Sequence, residues 1–272
     1  MSYFHGQTII LNEIELMLDA MIDDEENYNI LFRAPSGHGK TTLALRCMSV
    51  LGLENCAYYL PNIEGNNLSP EFNEERRIHT IDEIHELKTS EFLYPLMDTG
   101  EYSFFILTNE SGRLKEPLRN RCIPFIFHPY TLEEISQIVG DSLQTSNIPE
   151  EFMTEIADRS RGNPRIAKKI CERLGYVFRS YNIPKDLDSL ITILEEVLYI
   201  KEKGLSRFDE IYLEYLERVG GRASLISLIS GTGIDKTTIL TEVEPLLLYQ
   251  GIVEITSRGR NLTNINRSVE NA

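Results

Sequence analysis

Apolar residues recur at Ile10, Ile14, Met17, Leu18 and Met21, a spacing that predicts an amphipathic helix over the stretch from Gln7 to Met21. The run "YNILFRA" then reads as a short buried strand, followed at once by "PSGHGKTT" and the helical "LALRCMSVLG". Four more strands are expected at "CAYYL", "RIHTID", "YSFFILT" and "IPFIFH", with helices or loops between them. Strands alternating with helices predict an α/β fold with a parallel sheet covered on both faces. After Pro129 the pattern changes to four helical segments, "TLEEISQIVGDSL", "EEFMTEIADRS", "RIAKKICERLGYVF" and "LDSLITILEEVLYI". From Gly204 a third pattern follows, with helices at "RFDEIYLEYLERV", "LISLI" and "KTTILTEVEPLLLYQG" and two strand-like runs around "SRG". The expected organisation is an α/β domain over 1–130, a helical domain over 131–203 and a third domain over 204–272.

Chemistry-bearing residues fall at the strand ends. "APSGHGKT" sits where a strand hands over to a helix, the setting in which backbone N–H groups and the helix N-terminus face a phosphate. Ser36, Gly37, His38, Gly39, Lys40, Thr41 and Thr42 form the candidate cradle, with Lys40 neutralising the terminal phosphates and Thr41 holding Mg2+. Ala34 stands where such loops usually carry their first glycine, and a chance Gly-Lys-Thr turn is the bland alternative. The strand "RRIHTIDEIHEL" ends in Asp82 and Glu83, suited to the magnesium shell and to polarising the attacking water of a nucleotide hydrolase. An acidic helix start is the competing reading, and it loses ground once phosphate loop and strand are in register. At the end of "FFILTNES", Asn109 or its neighbour Thr108 is placed to hydrogen-bond the γ-phosphate or the water, unless Asn109 simply forms a turn. "EPLRNRC" offers Arg119 and Arg121 as fingers for a neighbouring subunit's nucleotide, against ordinary surface pairing. Arg165, at the start of a basic helix, is placed to fold back onto phosphate of its own subunit. His79 inside its strand is expected to be a hydrogen-bonded core histidine.

Charge and composition narrow the picture. The formal net charge of −15 argues against coating nucleic acid non-specifically, yet permits a local basic footprint. Six bases stand against one acid between Arg159 and Arg173, and the tip "TSRGR" is purely basic. The four cysteines are scattered without a CxxC pair, so reduced buried thiols are expected rather than disulfides or zinc. No apolar run approaches the roughly 18 residues of a membrane helix, and "MSYFHGQ" lacks a signal-peptide pattern, so the expected location is the cytoplasm.

Taken in order, "YFHGQ", "GHGKTTLA", "IDEIHEL", "FLYPLMD", "PLRNRC", "RGNPRIAKK" and "EPLLLYQGIVEITSRGRNLT" resemble the AAA+ ATPases, most closely the RuvB-type Holliday-junction branch-migration motors. The likeness runs over nearly the whole chain. It implies an AAA+ P-loop NTPase sheet, a helical lid and a C-terminal winged-helix domain. It further implies ATP and Mg2+ as cofactors, self-association into a hexameric ring, and DNA, duplex or branched, as partner. By the same resemblance Phe4, His5 and Tyr130 wall the adenine, Arg121 is the trans-acting finger and Arg165 the second sensor. Asn109 falls in the first-sensor region, where the family usually has threonine, so Thr108 stays open. Gly259 is expected to make the turn of a wing that displays Arg258 and Arg260 toward DNA; a solvated hairpin is the alternative.

Two departures from the family stand out. Only "EIHELKTSEFLYPLMDTGEYSFF" separates the acidic box from the sensor strand, too little for the β-hairpin on which the RuvA partner docks. The stretch "PNIEGNNLSPEFNEE", near the expected ring channel, is Asn- and Glu-rich rather than basic. Three activities are therefore weighed: a DNA-dependent ATP-hydrolysing motor, a clamp- or helicase-loader-type ATPase switch, and a weakly hydrolysing winged-helix regulator.

Overall fold

The structure is a computed structural model that describes residues 4–23, 26–61, 73, 75–143, 149–180 and 186–263. The Asn- and Glu-rich stretch discussed above lies almost entirely outside them. The chain divides into two compact units, one of residues 1–145 and 162–169, the other of 146–161 and 170–272.

The first unit opens with helix α1 (Thr8–Asp23), whose five predicted apolar positions are all buried. All five predicted strands form: β1 (Asn29–Arg33), β2 (Cys56–Tyr59), β3 (Ile78–Ile81), β4 (Ser103–Thr108) and β5 (Ile123–Ile126). They make one sheet in the order β2-β3-β4-β1-β5, with every pair parallel. Helices α2 (Lys40–Leu51), α3 (Leu93–Thr99) and α4 (Glu116–Arg119) fall within the crossovers, and α5 (Leu132–Leu143) follows.

Successive strand residues point to opposite faces, and here both faces are covered. Ile30 and Phe32 of β1 and Phe105 and Leu107 of β4 pack with α1 and α2, while Leu31, Phe104 and Ile106 pack with α3 and α4. Each such fully buried side chain stabilises the sheet by about 1.5–3 kcal/mol. This explains why β1 and β4 read as unbroken apolar runs. His79 is the polar exception: its Nδ1 is 3.2 Å from the Tyr59 hydroxyl, Nε2 is 2.8 Å from the Arg76 carbonyl, and burial lowers its pKa to about 4. It is the hydrogen-bonded core histidine expected.

The second unit holds α6 (Glu150–Asp158), most of α7 (Pro164–Ser180), and α8 (Leu187–Thr192), which continues as a wider turn through Val197. Next come α9 (Arg207–Arg218), β6 (Arg222–Ala223) and α10 (Leu225–Thr232). A helical stretch then runs from α11 (Lys236–Thr238) to α12 (Glu244–Tyr249), followed by the strands β7 (Val253–Thr256) and β8 (Gly259–Leu262). β6, β8 and β7 form a small antiparallel sheet over a core of Tyr212, Leu216, Leu228, Ile239 and Leu247. The two-residue β6 carries no periodicity and was not expected.

All four cysteines are buried free thiols. No helix among the described residues is long and apolar enough to cross a membrane.

Candidate functional site

The carboxyl ends of β1, β3 and β4 lie side by side in the sheet, and ligands of open parallel sheets bind at such ends. From β1 the chain enters the loop Ala34–Gly39 and then α2, whose N-terminus has no side-chain cap. Its first N–H groups therefore remain available to an anion. Gly37 adopts φ +85°, and a Cβ there would lie 2.4 Å from Asn163 Oδ1, so only glycine fits. Asn163 Nδ2 donates to the Ser36 carbonyl at 3.0 Å, and the Arg165 guanidinium donates to Ser36 Oγ at 3.1 Å. Arg165 thus folds back onto the loop of its own chain, and Asn163 beside it is a loop-holding residue that sequence reading passed over inside "RGNPR".

Lys40 is buried, and its ammonium donates to the loop's own carbonyls, Ala34 at 2.7 Å and Pro35 at 3.2 Å. Burial lowers its pKa, opposed by the nearby Glu83 and Asp82. The Thr41 hydroxyl donates to Asp82 Oδ2 at 2.7 Å, which joins the start of α2 to the end of β3. Asp82 Oδ2 also accepts the Tyr58 hydroxyl at 2.7 Å, and Oδ1 accepts the Glu83 backbone N–H at 2.9 Å. Tyr58 left no signal in the sequence, because an aromatic in an apolar strand looks like core.

Glu83 takes φ +51°, a conformation that strains a non-glycine residue and recurs at functional sites. Its Oε2 is buried without a hydrogen-bond partner, and its pKa is raised by burial first and by Asp82 second. At the end of β4, Thr108 is buried, with its hydroxyl 3.2 Å from His85 Nδ1, whereas Asn109 is exposed.

Around the loop, Tyr130 donates its hydroxyl to the His38 carbonyl at 3.1 Å, and the edge of Phe4 lies against Gly39. The Arg46 guanidinium covers the Phe4 ring at 5.7 Å, and His5 Nε2 is 2.7 Å from Asp141 Oδ2. Burial lowers the His38 pKa.

Arg121 belongs to a different cluster. It grips Asp98 with two hydrogen bonds of 2.8 and 2.9 Å, donates to the Pro117 carbonyl at 3.0 Å and lies over the Tyr94 ring at 4.9 Å. The Arg121 guanidinium also holds the Asp98 carboxyl below its ordinary pKa.

In the second unit, the hairpin between β7 and β8 reverses at Ser257 and Arg258, and Thr256 pairs with Gly259. Gly259 therefore follows the turn instead of making it. Its φ is +123°, and a Cβ would lie 2.5 Å from the Ala223 carbonyl, so glycine lets β8 close onto β6. Arg258 is exposed and, with Arg222, Ser224 and Ser227, lines a cleft of about 260 Å³.

Arg260 corrects the expectation of a displayed arginine. It turns inward and pairs with buried Glu244 at 2.7 and 3.2 Å, and Glu244 also accepts the Tyr212 hydroxyl at 3.0 Å. The basic run of Arg159 to Arg173 is likewise partly internal. Arg159 is 2% exposed between Glu155 and Glu195, and Arg161 pairs with Asp209. Neither adds to a surface footprint.

Comparison with known proteins follows this geometry. Residues 202–268 match the family described as the RuvB C-terminal winged helix domain. The chain is similar to the RuvB Holliday junction branch migration motor of Thermotoga maritima at 30% identity, covering 96% of this chain and 93% of that one with a TM-score of 0.79. The chain belongs to the RuvB family. A more distant match, domain III of the Thermotoga maritima replication initiation protein DnaA, shares the fold at 15% identity and a TM-score of 0.57 over 71% of this chain and 94% of that one. As a RuvB-type AAA+ protein, the chain combines the five-stranded α/β domain with the winged helix expected of it. Between β3 and β4 this RuvB-family chain has only a short turn, Ile84–Glu86, and α3, with no strand among the described residues there.

Proposed function

We propose that this RuvB-family chain hydrolyses ATP with Mg2+ and couples the reaction to movement on duplex or branched DNA as an oligomeric ring, of which a hexamer is the expected form. The observation that carries this reading is the meeting of Lys40, Thr41, Asp82 and Glu83 at the sheet's carboxyl edge. The residues fit the cofactors. Lys40 has an ammonium spent on its own loop, α2 starts uncapped, and Glu83 keeps an unpartnered carboxylate oxygen.

Thr41 and Asp82 would hold Mg2+, which when bound neutralises charge between the outer phosphates. Ser36 to Thr42 cradle the phosphates, with Lys40 exchanging its loop carbonyls for phosphate oxygens. Arg165 reaches the same phosphates from beside Ser36. Phe4, His5 and Tyr130 bound the base. Glu83 polarises the attacking water, Asn109 at the open end of β4 orients it, and Arg121 serves the neighbouring subunit's nucleotide.

Arg258 meets DNA phosphate, together with Arg222 and the start of α10. Arg258→Ala is expected to leave thermal stability unchanged while lowering the log–log salt slope of DNA binding by about one. Arg260→Ala acts differently, because it strands the Glu244 carboxylate and costs the winged helix about 3 kcal/mol. Chemical unfolding beside salt-titrated DNA binding separates the two; equal behaviour of both variants contradicts these assignments.

A loader-type switch is the second reading, favoured by the short connection between β3 and β4, which leaves no hairpin for a RuvA-type partner. The deciding experiment is ATP hydrolysis by the purified protein alone, with linear duplex, and with a four-way junction. Strong stimulation by DNA supports the motor and names its load. Slow turnover indifferent to both DNAs overturns it in favour of the loader.

A further inference from the structure

The geometry points to His85 as a positioning residue for hydrolysis, a ring fixed to the end of β4 that bounds the Glu83 carboxylate without donating a hydrogen bond to it. The inference rests on the ATP-hydrolysing reading above.

His85 lies in the short turn Ile84–Glu86 directly after the acidic pair, and its side chain is only 5% exposed. Its Nδ1 is 3.2 Å from Thr108 Oγ1 and 3.4 Å from Glu83 Oε2. Nε2 faces Glu86 Oε1 at 3.4 Å and Glu110 Oε1 at 3.8 Å. A single buried ring therefore touches the water-polarising group, the last residue of β4 and two further carboxylates.

Hydrogen-bond capacity assigns the ring's protons. Nε2 faces only carboxylate oxygens, which can accept but not donate, whereas Nδ1 lies beside a Thr108 hydroxyl able to donate to its lone pair. The ring proton then sits on Nε2, toward Glu86 and Glu110. In that tautomer Nδ1 gives nothing to Glu83, in keeping with an Oε2 that is buried yet unpartnered. The ring, bonded to β4 through Thr108, walls one side of the carboxylate by contact alone and takes up none of its lone pairs. A group held this way is worth roughly 10²-fold when a displacement of about 1 Å is avoided.

Nothing in the sequence separates this histidine from an ordinary polar residue after an acidic box. Its role follows from β3 and β4 being neighbours in the sheet.

The test measures kcat and, separately, equilibrium binding of a fluorescent ADP, for His85→Ala, His85→Asn, His85→Gln and Thr108→Val. His85→Ala is expected to lower kcat by about 10–100-fold with nucleotide affinity changed less than about threefold. Asn places an acceptor near the Nδ1 position and should recover most of kcat, whereas Gln, which reaches the Nε2 position, should not. Thr108→Val should mimic His85→Ala, and the double variant should be no worse than either single one. Nitrogen NMR of the imidazole should show the proton on Nε2. Unchanged kcat in His85→Ala, a parallel loss of ADP affinity, equal rescue by Gln, or a proton on Nδ1 alone each overturns the inference. Should His85→Ala fail to fold by thermal unfolding, Thr108→Val and His85→Asn carry the same comparison. Wild-type protein that binds ATP without hydrolysing it overturns the functional reading and this inference together. Active wild type with an equally active His85→Ala overturns the inference alone.

Discussion

Arg121→Ala is expected to lower ATP turnover of the assembled protein by roughly 10³–10⁵-fold, the range by which arginine fingers accelerate phosphoryl transfer. Arg121 is fixed by Asp98, by the Pro117 carbonyl and by the face of Tyr94, and Lys40, Asp82 and Glu83 make none of those contacts. A guanidinium held on two carboxylate oxygens is presented as a rigid fork, so little side-chain entropy remains to be lost when it meets phosphate. Part of its donor set is occupied by Asp98 and Pro117, so engagement with phosphate exchanges some of these bonds. Mixing tests the sharing directly. Arg121→Ala subunits carry an intact Glu83, and Glu83→Gln subunits carry an intact finger. A mixture of the two should regain turnover that neither shows alone. An Arg121→Ala protein that turns over normally, or a mixture that stays inactive, excludes a finger acting between subunits.

Glu83→Gln should reduce turnover by about 10²–10⁴-fold while ATP binding survives, as expected for loss of a general base. Burial, with Asp82 adding to it, raises the Glu83 pKa, so the carboxylate is a better proton acceptor than an exposed glutamate. Its positive φ and unpartnered oxygen are in keeping with a group held for a reaction. Gln keeps the size and removes the basicity. Single-turnover hydrolysis read beside bound nucleotide separates the two effects. Retained hydrolysis would remove Glu83 from the role and leave it a structural acid beside Asp82.

Much of this was legible before any tertiary structure. The five strands could be read because buried parallel strands are short, nearly continuous apolar runs, and α1 because its apolar positions recur at helical spacing. The proposed phosphate loop was legible because a backbone cradle requires glycines and a lysine at fixed local spacing, and in the structure Thr41 at its end donates to Asp82. Such features depend on neighbours within a few residues, and sequence order preserves them.

What the sequence could not decide was which charges meet. The arginines of "SRGR" look alike along the chain, yet Arg258 stays in solvent while Arg260 points into the winged helix and ends on Glu244, sixteen positions earlier. Arg159 and Arg161 looked like surface charge until the packing of helices supplied Glu195 and Asp209. Tyr58, His85, Asp98 and Asn163 acquire roles only through partners 23 to 127 residues away: Asp98 joins Arg121, and Asn163 joins Ser36. Sequence alone determined the main elements, the glycine-lysine loop and the acidic pair, because local spacing encodes them. Tertiary structure alone decided which polar groups were spent on the fold and which were left for chemistry, because an ion pair or a hydrogen bond forms between groups close in space, whatever their distance along the chain.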